Sequence, residues 1–267
     1  MNNLQAPVHI TVGGMNPLLP KVHSIVDKIF TVYESDIFLE SFPKSGNTWA
    51  RFLLANLLAP EKIISFRNVD DYVFGWGKEW RTALKTAKHP RIIKSHFRAW
   101  PHYPRFAYIV RDGRDVLVSY YSFMKATKDP NLTFSEFLDL SLGGAFRDGT
   151  WHDHINQAMK VCAHLDPEKY IILQYERFVE EPMLSARQLA LFCGIKFSDA
   201  QLKAAVDKCA FVNLQHIEKT FGPERLDQPY TFFRHGKPGQ WQEIFSGADL
   251  KKFNSIAGDT MKKLGYI

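Results

Sequence analysis

The sequence predicts an α/β fold: a single domain with a central parallel β-sheet flanked by helices and a P-loop-like nucleotide-binding architecture. Three observations carry that expectation. Short apolar runs of strand length recur at 36–42, 91–94, 106–110 and 170–175. Stretches with helical periodicity separate them, the pattern of parallel βαβ units. The residues richest in chemistry fall at the carboxyl ends of the first three runs, where open α/β sheets bind their ligands.

The elements follow in order. Up to about Glu34 the chain carries Gly13-Gly14, Pro17 and Pro20 and reads as irregular with one short helix. Residues 1–35 are therefore set apart as an extension from a domain spanning 36–267. Asp36–Phe42 is the first strand by its apolar and aromatic content. It turns tightly into a helix over Thr48–Leu58, which Pro60 stops because proline cannot continue the amide ladder. Arg91–Lys94 and Phe106–Val110 are the second and third strands, the latter followed by an Asp-Gly turn and a helix from about Arg114 to Met124. Tyr170–Tyr175 is the fourth. Further helices are expected at His152–Leu165, Met183–Phe192, Asp199–Lys208 and Ala248–Leu264, with right-handed crossovers between the strands.

Composition narrows the function. The chain has 267 residues, 45% hydrophobic and 23% charged, enough to bury a core without metal or disulfide support. Cys162, Cys193 and Cys209 are odd in number and far apart, with no Cys-x-x-Cys pair and no zinc-like spacing, so a reducing compartment and no metal site are expected. The first residues lack the charged start and apolar run of a secretory leader, and no stretch approaches the ~18 apolar residues of a membrane span. A cytoplasmic location is the expectation. The net charge of +6 and pI of about 9.1 suit an anionic ligand. The basic residues are scattered, without a Lys/Arg run or an aromatic, Arg-rich surface, so nucleic acid is not an expected partner.

The first strand meets the first helix through Phe42-Pro-Lys-Ser-Gly-Asn-Thr-Trp49. Ser45 and Gly46 are small enough for backbone N–H groups to close on an anion, and the helix N-terminus adds a favourable dipole. Lys44 brings a mobile charge and Thr48 a hydroxyl. The same string also composes an ordinary strand-to-helix turn with Thr48 near the cap. It is not a nucleotide-kinase loop: the lysine precedes the last glycine instead of following it, and the first glycine is missing. After the third strand come Arg111 and, one helix face on, Ser119. An Arg fork with a hydroxyl suits a phosphate monoester. Asp112, Arg114 and Asp115 compose a salt-bridge cluster with Arg111 as an equal alternative. The second strand ends in Lys94-Ser-His96, and Arg234-His-Gly-Lys-Pro-Gly-Gln-Trp241 is a basic, turn-rich loop.

Taken together, these four segments resemble, in order, the motifs of the sulfotransferases that use 3′-phosphoadenosine 5′-phosphosulfate (PAPS). The resemblance extends from about Asp36 to Trp241. It implies that Lys44, Ser45, Gly46, Asn47, Thr48 and Trp49 hold the 5′-phosphosulfate and adenine side. Arg111, Ser119, Arg234, His235 and Gly236 would hold the 3′-phosphate, and Tyr175, Cys209 and Phe211 the adenine. It implies His96 as general base, Lys44 and Lys94 stabilising charge in transfer, and Ser119 positioning Lys44. Three departures stand out: His235 and Gln242 replace lysines, and Cys209 stands where threonine is common. The family's dimer motif is not recognisable in 242–250, which leaves the oligomeric state open.

PAPS as co-substrate, no metal, and a hydroxyl acceptor on a small molecule, sugar or lipid follow from the resemblance. It also makes His154 a lining residue of the acceptor pocket. Phe123, Tyr72, Phe74, Trp76 and Trp80 are candidate aromatic walls, each equally a core residue. The rival readings are an ATP-dependent small-molecule kinase, which lacks its lysine after the glycine, and a catalytically silent PAPS-binding module, against which the retention of both Lys44 and His96 argues.

Overall fold

The computed structural model describes residues 32–75, 81–88, 90–224, 230–234 and 236–267. The short helix expected near the N-terminus, Trp76, Trp80 and His235 lie outside the described residues. Four strands form one parallel sheet in the order β2-β1-β3-β4: β1 (Ile37–Ser41), β2 (Ile92–Ser95), β3 (Arg105–Val110) and β4 (Tyr170–Gln174). Ile37 pairs with Ile92 on one side and Arg105 on the other, and Phe106 pairs with Tyr170. All five residues of β1 are buried, as expected of a central strand covered on both faces.

Alternation along the strands divides the core. Phe38, Ile93, Phe106 and Tyr108 face the helices α3 (Gly113–Thr127), α4 (Phe134–Leu142), α5 (Trp151–Cys162) and α11 (Gly247–Lys263). Leu39, Ile92, Ala107 and Ile109 face α1 (Asn47–Leu58), α7 (Pro182–Phe192), α8 (Asp199–Lys208) and α9 (Phe211–Phe221). Three short α-helices, α2 (Arg81–Thr86), α6 (Tyr175–Glu180) and α10 (Trp241–Ile244), and two 3-10 turns, Val69–Asp71 and Pro167–Lys169, complete the described elements. Tyr72 and Phe74 pack against the core clusters, and Phe74 bridges to Ile93. They are core residues rather than pocket walls.

The sheet order puts a reversal between β1 and β3: the chain leaves β1 for β2 on one side, then returns past β1 to β3 on the other. Loops leaving β1 and β3 in opposite directions open a crevice at their carboxyl ends. The expected strands and longer helices are present, their ends shifted by at most three residues and Asp199–Lys208 unshifted. The exceptions are informative. Tyr175 begins α6 instead of ending β4, and α2, α4, α6, α9 and α10 were not foreseen. The signature of α4 was present in Thr133 and Glu136, which form a reciprocal capping box.

The base of the sheet is fixed by an ion pair with no access to water. Asp36, just before β1, takes Arg91 Nε at 2.8 Å and a second bond from Nη2, while Arg91 Nη1 donates to the Leu84 carbonyl at 2.6 Å. Both side chains are essentially fully buried. Removing one partner strands the other charge, which costs about 3–5 kcal/mol. Arg91→Met is therefore expected to lower the unfolding free energy by that amount in urea titrations. A loss below ~1 kcal/mol would show that the pair does not hold β1 to β2.

Candidate active site

A cleft of about 730 Å³ lies beyond the carboxyl ends of β1, β2 and β3. Lys44, Gly46, Asn47, Thr48, Trp49, Lys94, His96, Arg111, Ser119, Tyr175, Cys209, Phe211, Arg234 and Gly236 all line it. Residues from seven separate stretches of the chain meet there.

The loop after β1 is shaped for an anion. Lys44 holds a left-handed φ of 70°, and Gly46 one of 105°, a backbone that side chains disfavour. A Cβ on Gly46 would also lie 2.4 Å from the Tyr175 ring. Gly46 caps α1 without a side-chain hydrogen bond, and the first turn holds no acidic residue. The first amides of α1 therefore have no intrahelical partner and face a positive dipole end. The Asn47 side chain is committed inward, donating to the Leu39 carbonyl at 3.1 Å. Ser45 Oγ, Arg111 Nε and Arg234 Nε are buried with no hydrogen-bond partner among the described residues. Arg111 and Arg234 line the cleft, whereas Ser45 lies beneath the loop and outside the lining.

The expected salt-bridge cluster after β3 divides in two. Asp112 caps α3 and pairs with Arg114 at 2.6 Å, and Arg114 stacks on Trp241 at 3.9 Å. Arg111 instead faces the cleft, stacked 4.4 Å over Tyr175 and donating to the Lys44 carbonyl at 3.3 Å. Asp115 touches Arg111 only at 3.8 Å; its oxygens accept from Gly239 N at 2.6 Å and Trp241 N at 3.0 Å. Glu218 on α9 accepts from the Phe232 and Phe233 amides at 2.6 and 3.0 Å. These two buried carboxylates hold the loop that carries Arg234 and Gly236 over the cleft from both sides. Gly236 sits so close to Phe211 that a Cβ would lie 2.2 Å from its ring. Neither Asp115 nor Glu218 was readable as an anchor, because nothing in a sequence shows which distant amides a carboxylate will meet.

At the start of α1, Trp49 packs against Phe178 with ring centroids 4.7 Å apart and donates to the Cys209 carbonyl at 3.0 Å. The Cys209 thiol is turned toward Asn56 Nδ2, 3.8 Å away, and burial pushes it up to about 12. Cys209 thus contributes its carbonyl to the wall while its sulfur packs behind it.

Lys44 and His96 occupy the opposite end. The Lys44 ammonium lies 4.1 Å from the ring centre of Phe232, 4.8 Å from Tyr230 and 5.2 Å from Phe123. Burial, with further repulsion from Arg234 and Arg111, lowers its pKa to about 7. His96 Nδ1 lies 2.9 Å from the Ser41 carbonyl oxygen. A carbonyl only accepts, so Nδ1 carries the proton and Nε2 is left as the basic nitrogen. Burial, then the Lys94 charge, holds His96 well below the usual imidazole range, so it is neutral at pH 7. His154 does not line the cleft: it is fully buried behind His96, and the pocket role implied by the resemblance is corrected.

A family model for the sulfotransferase domain matches residues 34–265. The chain belongs to that family. Among curated relatives, flavonol 3-sulfotransferase of Flaveria bidentis is 25% identical over 273 residues, covering 90% of this chain and 86% of the relative. Sulfotransferase 4A1 of Mus musculus is 26% identical over 257 residues, covering 91% and 85%. The crystal structure of mouse sulfotransferase SULT7A1 complexed with PAP superposes with a TM-score of 0.69 at 21% identity, over 90% of this chain and 88% of that one. That last likeness is one of fold. No helix among the described residues of this sulfotransferase-family chain is long and apolar enough to cross a membrane.

The lowered Lys44 pKa has a stability consequence with a definite sign. In the unfolded chain a lysine titrates near 10.4. Between pH 7 and that value the unfolded state binds more protons, so through this group stability rises with pH. The penalty is present in full below pH 7 and is gone above about 10.4. Lys44→Met is expected to be more stable than the wild type at pH 7, with a margin that shrinks toward pH 10 in urea unfolding. A margin that grows with pH contradicts the assignment.

Proposed function

We propose that this chain transfers a sulfuryl group from PAPS to a hydroxyl acceptor by in-line displacement, with His96 as general base. The observation that carries the reading is the meeting, in one cleft, of a cationic anion cradle and a neutral imidazole with its basic nitrogen free. The donor supplies an activated sulfuryl group with a good leaving group. Arg111, Ser119, Arg234 and the Gly236 backbone would take the 3′-phosphate. The uncapped start of α1, with Ser45 and Thr48, would take the 5′ side. Trp49, Tyr175 and Phe211 would contact adenine, with the Cys209 carbonyl keeping Trp49 in position.

His96 would take the proton of the acceptor hydroxyl on Nε2. A phenol near pKa 10 and an unperturbed histidine near 6.5 differ by about 5 kcal/mol. The lowered pKa of His96 enlarges that gap. Full ionisation before transfer is therefore disfavoured, and the proton must leave as the O–S bond forms. Negative charge brought in by the donor opposes the desolvation of imidazolium, so the base strengthens when its substrate is present. Lys44 would meet charge building on the leaving oxygen and Lys94 charge on the sulfuryl oxygens, where fixed positive groups act most strongly. Lys44 arrives at that task already desolvated, with its ammonium less well hydrated than on a surface.

The acceptor side is aromatic. Phe123 and Phe232 line the cleft beside Lys44, with Tyr120 and the Arg147–Asp148 pair at 3.1 Å closing it. This supports an acceptor that presents a hydroxyl on a largely apolar body.

The two catalytic residues separate in a paired experiment. His96→Ala is expected to lower single-turnover transfer by roughly 10²–10⁴-fold with little change in nucleotide affinity. Lys44→Ala should weaken both, since that side chain meets the ground state and the leaving group. Near-native transfer by a well-folded His96→Ala protein would remove the base assignment.

A further inference from the structure

A set of buried hydrogen bonds behind His96 takes no direct part in the chemistry above. His154, on α5, is fully buried. Its Nε2 lies 3.2 Å from the main-chain oxygen of His96, and its Nδ1 lies 2.7 Å from Tyr108 Oη on β3. The carbonyl only accepts, so Nε2 carries the ring proton and Nδ1 accepts the phenol proton. Meanwhile His96 Nδ1 donates to the Ser41 carbonyl.

The bonds form an open circuit: from Tyr108 on β3 to His154, to the main chain of His96, and through its ring to the carbonyl of the 41–42 peptide. That peptide is the last rigid unit of β1 before the anion loop begins at Pro43. Each bond has one donor and one acceptor, and burial strengthens such a chain while making any missing member expensive. Burial also holds His154 down to about 4, so the ring stays neutral and keeps one donor and one acceptor.

We propose that His154 is a positioning residue that clamps the main chain of His96 to Tyr108 on β3, so that the His96 ring stays on the Ser41 carbonyl where the anion loop opens. The base and the sulfuryl group would thereby be held in one fixed relation. This inference rests on the reading of His96 as general base. A hydrophobic residue of equal volume would fill the space but leave His96 O and Tyr108 Oη unpaired. A glutamine can still donate to the carbonyl and accept from the phenol.

The test compares His154→Leu, His154→Gln and Tyr108→Phe by ¹⁵N NMR of the His96 ring, by affinity for adenosine 3′,5′-bisphosphate, and by single-turnover transfer from PAPS to 2-naphthol. The expectation is that His154→Leu loses the Nδ1–H signal of His96 and slows transfer by up to about 10²-fold, with nucleotide affinity within about twofold. His154→Gln should restore both the signal and most of the rate. Tyr108→Phe, which removes one oxygen and keeps the fold if His154→Leu does not, should fall between them. Adding it to His154→Leu should change little more, because the two act in one circuit. An unchanged His96 signal and rate in His154→Leu overturns the proposal, and so do equal losses in the Leu and Gln variants. Should His96→Ala itself transfer normally, the base reading fails first, and that result is distinct from either.

Discussion

Five basic residues, Lys44, Lys94, Arg111, Arg147 and Arg234, line one cleft, and the rest of the site is arranged around that constraint. Burial lowers the Lys44 pKa to about 7, with Arg234 and Arg111 adding to the effect. Acidic residues close enough to neutralise these charges directly would fill the site with internal ion pairs. The chain uses its carboxylates differently. Asp115 and Glu218 bind backbone amides of the loop bearing Arg234, and Asp112 is absorbed by Arg114 and by the cap of α3. They hold the elements that bear the cations, while Glu224 in the cleft wall and Asp115, 3.8 Å from Arg111, offset the positive charge only in part. The cleft keeps its positive field, and an anion with two phosphate-like ends relieves it.

The same elements serve core and site. β1 is buried on every residue, so its carboxyl end is a fixed point from which the anion loop starts. That point also accepts the His96 ring proton, which sets the tautomer. The loop after β1 and the His96 imidazole are thus both referenced to one peptide group. The Asp36–Arg91 pair at the other end of β1 and β2 keeps these strands in register, and the position of His96 depends on that register. The aromatic rings around Lys44 desolvate it while leaving its ammonium a favourable π environment, so it is neither tightly paired nor freely hydrated.

Much of the fold was legible because its strands are short apolar runs and its main helices end at clear signals such as Pro60. The helices that went unseen are those whose residues carry other messages. Phe211 begins α9 but also lines the cleft, and Tyr175 continues an apolar run yet turns helical at once. The residues of the site were legible as types at strand ends. Their arrangement was not: whether Arg111 would join Asp115 or face the cleft depends on Gly239 and Trp241, more than a hundred residues away. His154 illustrates the same limit. Its motif suggested a pocket wall, and only the packing of α5 on β3 turns it inward to Tyr108.

The claim on which the account depends is that the cradle is built for two anionic groups on one nucleotide. Calorimetry comparing adenosine 3′,5′-bisphosphate with adenosine 5′-monophosphate tests it directly. Charge-assisted hydrogen bonds contribute about 1.5–3 kcal/mol each, so loss of the 3′-phosphate should weaken binding by at least about tenfold. Equal affinity for the two nucleotides would contradict the account.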